Sequence, residues 1–273
     1  MSPTMQLMFP TERDGPAPSV LARALSILDA FAPDDTAVSA SELGRRTGLA
    51  KSTVHRLAGE LCRLGLLEQT PRGLRLGLHL FELGQLVPRQ RDLREAALPL
   101  MEDLREVTHA TVHLAVREGV EVVYIEILGG KAHPGLPSRV GGRMPAHATG
   151  VGKAILAFSP PEVAAERIRA GLPPCSPFTI VAPGALLREL ENVRRTGVAY
   201  DREESGVGTV CVAAPVLGAD GLPIAALSVT GRSSQLDIER MGPAVRTAAL
   251  ALGRQLTARR RAERTPAARR QSM

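Results

Sequence analysis

The chain has 273 residues, 44% hydrophobic and 23% charged, which is ordinary usage for a globular protein of about two domains. It lacks both an apolar run near the roughly 18 residues of a membrane span and the apolar stretch of a signal peptide, so a cytoplasmic protein with no membrane partner is expected. Most of the formal charge of +6 falls in residues 259–273, which carry six arginines against one glutamate.

Residues 1–16 are expected to be disordered. Val20, Ala24, Ile27, Leu28 and Phe31 then recur at helical spacing and predict a helix that Pro33-Asp34-Asp35 stops. Ser39-Ala40-Ser41-Glu42 has the capping-box pattern, in which Ser39 accepts a backbone N–H bond and Glu42 reaches back to the Ser39 amide. It predicts a helix over about 40–47, closed by Gly48 in the left-handed conformation. A third helix from Lys51 puts Val54, Leu57, Ala58 and Leu61 on one inward stripe, leaving a polar, basic outer face. Leu66–Gln69, the turn Thr70-Pro71-Arg72-Gly73 and Leu74–Leu76 read as a strand, turn and strand. Residues 17–80 are therefore predicted to form a winged helix-turn-helix domain. Its third helix fits the DNA major groove, and the candidate DNA contacts are Arg45, Lys51, Ser52, Thr53, His55 and Arg56, with Arg72 and Arg75 on the wing. A small helical interaction domain with a solvated basic face would show the same pattern.

Gly77 to Gln90 is only partly periodic and is interrupted by Gly84 and Pro88, so a linker is placed at 81–93. A long amphipathic helix is predicted over 92–108. Val112, Leu114 and Val116 alternate with His113 and Ala115, and Arg117-Glu118-Gly119 turns the chain into Val120–Ile127, a hairpin. A second hairpin pairs Val210–Val216 with Ile224–Val229 across Gly218-Ala219-Asp220-Gly221. Helices are predicted near 150–158, 161–170, 185–196 and 237–258. Strands and helices in separate runs give an α+β domain with an antiparallel sheet over 94–257. Residues 258–273 are expected to be a disordered basic tail or a frayed helix end.

The motifs that resemble catalytic or cofactor signatures fail in detail. Gly150-Val151-Gly152-Lys153-Ala154 resembles the end of a phosphate-binding loop, but His147 stands where glycine is needed and Ala154 where a hydroxyl is needed. Gly206-Val207-Gly208 lacks the third glycine of a dinucleotide fingerprint. Cys62, Cys175 and Cys211 are scattered, as are the histidines, so no cofactor, metal site, disulfide or catalytic residue is expected. Asp201-Arg202-Glu203-Glu204 reads equally well as a solvated turn.

Taken together, the chain resembles the IclR family of bacterial transcription regulators from about Ser19 to Leu256. The resemblance is carried by Gly48 to Leu57, Leu74 to Gly77, Met144 to Ala154, Asp201 to Glu204, Gly208 to Pro215 and Ala225 to Gly231. It implies a winged-helix DNA-binding domain, a linker helix and a GAF-like α+β effector-binding domain, assembled as a homodimer or as a tetramer of two dimers. It further implies binding to a pseudo-palindromic double-stranded operator, controlled by a small-molecule effector such as an organic acid. Position by position, the implied effector-binding residues are Met144, Gly150, Val151, Asp201, Thr209, Cys211, Ser228 and Thr230. Family members often have serine or proline where Ala50 stands, so the third helix is expected to start without its usual cap. A constitutive DNA-binding protein without a ligand, or an enzyme built on the C-terminal domain, are the alternatives to this regulator reading.

Overall fold

The computed structural model describes residues 19–130 and 138–270, and the chain divides into two compact units between Pro88 and Arg89. The expected disordered segment 1–16 and the last three residues of the expected tail lie outside the described residues.

The N-terminal unit runs α1 (Val20–Asp29), α2 (Ala40–Thr47), α3 (Lys51–Arg63), β1 (Leu67–Thr70), β2 (Gly73–Leu76) and α4 (Leu78–Gln85). Ser39 Oγ accepts the Glu42 amide at 3.2 Å, and Gly48 closes α2 with φ 71°. The reciprocal half of the capping box is absent. Glu42 instead accepts hydrogen bonds from Arg45 and Arg46, because two guanidinium groups within one turn outcompete a backbone amide. Arg46 also pairs with Asp35 and donates to the Ala30 carbonyl, tying α2 to the loop after α1. Ile27, Leu43, Val54, Leu57, Leu61, Leu67 and Leu74 form one core. The wing is held to that core by backbone hydrogen bonds between Val38 and Leu74 at 2.7 and 2.8 Å. Gly73 permits this, since a Cβ there would lie 2.6 Å from the Val38 carbonyl oxygen.

The stretch expected as a linker is almost wholly helical. Helix α4 covers its start, and α5 (Pro88–Thr108) covers its end. Gly84 is tolerated inside α4, and Pro88 stands at the first position of α5, where its missing N–H costs nothing.

In the C-terminal unit six antiparallel strands are ordered β5-β4-β3-β8-β7-β6. They are β3 (Thr111–Glu118), β4 (Glu121–Leu128), β5 (Arg143–Pro145), β6 (Ala199–Arg202), β7 (Thr209–Leu217) and β8 (Pro223–Arg232). Helices α6 (Gly150–Phe158), α7 (Pro161–Arg169), α8 (Pro183–Thr196) and α9 (Ile238–Arg270) complete it. Alternation along β7 sorts the two faces. Val210, Val212, Ala214 and Val216 pack with α5 and α9, while Cys211 and Ala213 pack with α6 and α8. Strands β5 and β6 are absent from the sequence reading, being three and four residues long and too short for a period-two signal. Helix α9 continues past Ala258 to Arg270, in keeping with the high helix propensity of the alanines and arginines that dominate that segment.

Candidate functional site

The outward face of α3 is where the sequence places DNA contacts. Lys51, Ser52, His55 and Arg56 are exposed and Thr53 is half-buried, whereas Val54, Leu57, Ala58 and Leu61 are buried. Ala50 supplies no side-chain cap, so the first amides of α3 lack an intrahelical partner and point positive charge outward. Among the described residues no hydrogen bond or ion pair engages the side chains of Lys51, His55, Arg56 or Arg72. Arg45 and Arg75 differ, being exposed but paired with Glu42 and Glu68. A phosphate would have to displace those carboxylates.

The C-terminal unit builds a second site on the sheet face under α6. Strand register sets two rows across it. Asp201 pairs with Cys211 and Cys211 with Thr230; in the next row Ala199 pairs with Ala213, Ala213 with Ser228 and Ser228 with His113. The alanines leave a depression into which the N-terminus of α6 descends. Gly150 approaches so closely that a Cβ would lie 2.9 Å from Cys211 Sγ. Thr149 caps the helix by accepting the Gly152 amide at 3.1 Å, while the Gly150 and Val151 amides lie at positions with no intrahelical partner. Between helix end and sheet is a cavity of about 20 Å³, room for about one water.

All eight residues implied by the family resemblance line this cavity: Met144 on β5, Gly150 and Val151 on α6, Asp201 on β6, Thr209 and Cys211 on β7, Ser228 and Thr230 on β8. His113, Tyr124, Ser138, Thr149 and Ser205 line it too and are missing from that set. His113 was within reach of pattern reading, since the alternation in β3 puts it on the same face as Ala115. Its Nε2 lies 3.0 Å from Ser138 Oγ and its Nδ1 3.3 Å from Thr230 Oγ1. Nothing in the local sequence announces Tyr124, whose ring reaches this face through a register shift between Leu114 and Ala115.

Asp201 to Glu204 is not a solvated turn. Asp201 is 1% exposed and its Oδ1 accepts the amides of Glu204 (2.7 Å) and Ser205 (3.2 Å), while Glu203 adopts φ 64°. Glu204 is buried and pairs with Lys153. That lysine, which gave the motif its phosphate-loop look, is wholly buried in an ion pair and faces no loop cavity.

Burial raises the Asp201 carboxyl above its usual range, against the hydrogen bonds it accepts and the Lys153 charge. Burial also pushes the Cys211 thiol up to about 12, reinforced by the Asp201 charge, so it sits as an un-ionised group. His147 lies outside this cavity, with Nε2 3.1 Å from the Pro173 carbonyl oxygen and its pKa lowered by burial to about 4. A neutral thiol and a remote imidazole make no nucleophile–base pair. The cavity instead offers amide, hydroxyl and imidazole groups arranged for binding. Among the described residues no cluster of His, Cys, Asp and Glu is arranged for a metal, and no helix is long and apolar enough to cross a membrane.

A winged helix with an exposed basic recognition face, followed by an α+β unit with a small polar cavity, defines a DNA-binding transcription regulator with an effector domain. Comparison with known proteins is specific within that class. Residues 20–71 match the IclR helix-turn-helix domain, and residues 85–257 match the C-terminal domain of bacterial IclR transcriptional regulators. The regulator XynR of Escherichia coli is 35% identical over 240 residues, 86% of this chain and 95% of XynR. An IclR homolog from Microbacterium hydrocarbonoxydans, solved in complex with 4-hydroxybenzoate, is 36% identical with a TM-score of 0.81, covering 88% of this chain and all of that one. The IclR of Thermotoga maritima has a TM-score of 0.73 at 31% identity, covering 87% and 98%. The chain belongs to the IclR family, and it is an IclR-type DNA-binding transcriptional regulator.

Proposed function

We propose that the cavity under α6 is the effector site, that its ligand is a small carboxylic acid bearing a second hydrogen-bonding group, and that the protein binds a pseudo-palindromic operator as a homodimer. The α6 N-terminus carries the ligand reading: a capped helix start whose Gly150 and Val151 amides meet a row of hydroxyls at the sheet. Helix N-termini favour anions through these amides and the helix dipole. Ser228 and Thr230, two apart on β8, add donors on one side. Asp201 repels a second anionic group and accepts from a hydroxyl or amine. That pattern suits an acid such as the 4-hydroxybenzoate held by the Microbacterium relative. The cavity is small, and a ligand seated at the α6 N-terminus bears on the spacing between α6 and the sheet. A ligand that favours one spacing of α6 against the sheet would shift the balance between conformations of different DNA affinity.

On the DNA side Lys51, Ser52, Thr53, His55 and Arg56 read the operator, Arg72 contacts backbone from the wing, and Arg45 and Arg75 do so after release from their carboxylates. The dimer reading rests on apolar side chains left exposed on α1 (Leu21, Leu25), on α4 (Leu78, Phe81) and at the α4 C-cap (Leu86). The test begins with selection of genomic fragments by the purified protein, followed by titration of the selected operator with 4-hydroxybenzoate and other small carboxylates. An acid should shift operator affinity in the wild type. Ser228→Ala with Thr230→Val should abolish that shift and spare DNA binding, whereas an unaltered dose response would move the ligand elsewhere. Arg56→Ala should weaken operator binding, and retained affinity would remove it from the interface.

A further inference from the structure

Lys153 is among the largest side chains in the chain that are wholly buried. It stands one turn into α6, three residues beyond Gly150, and its Nζ bonds Glu204 Oε1 and lies 3.7 Å from Glu189 Oε1 on α8. The second carboxylate oxygen of Glu204 is buried with no hydrogen-bond partner. The backbone of Glu204 is held on both sides: its amide donates to Asp201 Oδ1 and its carbonyl accepts from Thr179 Oγ1 at 2.6 Å. One ion pair thus joins the two walls of the cavity, the first turn of α6 and the turn that follows Asp201.

Stability alone does not account for this pair. Taking an ammonium and a carboxylate out of water carries a desolvation cost that their attraction offsets only in part, and apolar side chains of similar volume hold two elements together at least as well. A directional bond between charges does what an apolar contact does not, fixing one register of helix against turn. We infer that Lys153 and Glu204 are positioning residues, whose buried ion pair sets the spacing between the α6 amides and Asp201 and so the shape of the cavity. The consequence for ligand binding rests on the effector-site reading above; the spacing itself does not.

The test is amide hydrogen exchange on the full-length protein without ligand, comparing wild type with the double variant Lys153→Met, Glu204→Leu. The expected result is exchange about tenfold faster across residues 201–208, where the Glu204 and Ser205 amides report directly, with β7 and β8 unchanged and the melting temperature no lower than wild type. Exchange in 201–208 within about twofold of wild type would overturn the inference, as would a lowered melting temperature with faster exchange spread over the whole unit. Should the double variant not fold, Glu204→Gln keeps an acceptor for Lys153 but removes the charge. It should speed exchange in the same segment by about threefold and more than in β7 and β8, at a melting temperature lowered because Lys153 loses its buried counter-charge, and no local change would overturn the inference. Calorimetric titration with 4-hydroxybenzoate separates the two readings. Wild-type binding that survives undiminished in the double variant counts against positioning, and absence of wild-type binding counts against the carboxylate reading while the exchange result stands.

Discussion

His147 carries a pH dependence that its surroundings dictate. The ring is wholly buried, Nε2–H donates to the Pro173 carbonyl, and Nδ1 has no hydrogen-bond partner, which is the pattern of a neutral imidazole. Burial and the Arg167 charge lower its pKa to about 4 against an ordinary 6.5. Between pH 6.5 and 4 the unfolded chain binds a proton at this residue that the folded chain does not, so stability falls as pH falls through that window. The size is on the order of 2–3 kcal/mol. His147→Gln retains a donor for Pro173 and removes the titration. Urea unfolding across this pH range should show the wild type losing more stability than the variant; equal losses would mean that the folded imidazole takes up the proton. His147 also marks what single residues reveal in sequence. A histidine beside a glycine-rich stretch can be a base but is more often a ring bonded to the backbone, and the buried ring on the Pro173 carbonyl is the second case. Lys153 is the sharper case, because a lysine in a glycine motif gives no sign that its partner Glu204 lies 51 residues on. The eight cavity residues come from motif positions shared with a family, whereas His113 and Tyr124 need the register between strands.

At the scale of elements, α3 begins in an unusual way for a helix that meets DNA. Its N-cap, Ala50, has extended geometry (φ −58°, ψ 143°) and no side-chain hydrogen bond, whereas Ser19 and Ser39 cap α1 and α2. Ala50→Ser supplies the missing acceptor and should stabilise the protein by about 0.5–1 kcal/mol, read from thermal or urea unfolding. Ala50→Asp should stabilise the helix start comparably but weaken operator binding, because a carboxylate then occupies the positive end that phosphates approach. Equal operator affinity for both variants would place the N-terminus of α3 away from the DNA backbone. The same helix shows why so much of the architecture was legible: Val54, Leu57, Ala58 and Leu61 fall at helical spacing, Ser39 and Gly48 bracket α2, and each hairpin strand alternates. Strands β5 and β6 stayed hidden because three or four residues show no period. The α4 and α5 boundary was misplaced because Gly84 and Pro88 punctuate helices as readily as linkers.

For the whole molecule, the exposed apolar side chains of the N-terminal unit bear on the proposed assembly. A chain this size normally buries such residues as Leu21, 81% exposed, and Phe81, 62% exposed. Leu21 and Leu25 stand one turn apart on α1, and Leu78 and Phe81 do so on α4, so each helix presents an apolar stripe rather than scattered side chains. A stripe of this kind is a surface on which a partner can dock, and the homodimer proposed above would seat a second copy of the same winged helix there. Phe81→Glu combined with Leu86→Glu puts like charges across such an interface if the stripes meet about a two-fold axis. The double variant should keep its core, since neither side chain belongs to it, and should still bind DNA weakly through one recognition helix. Operator affinity should drop by at least about 100-fold, because two half-site contacts joined in one particle reinforce each other far beyond either alone. A full operator and a single half-site should then bind it with nearly equal affinity, as measured by fluorescence anisotropy alongside analytical ultracentrifugation. If the variant keeps wild-type preference for the intact operator, pairing is carried by the C-terminal units, and the exposed stripes of α1 and α4 serve another contact.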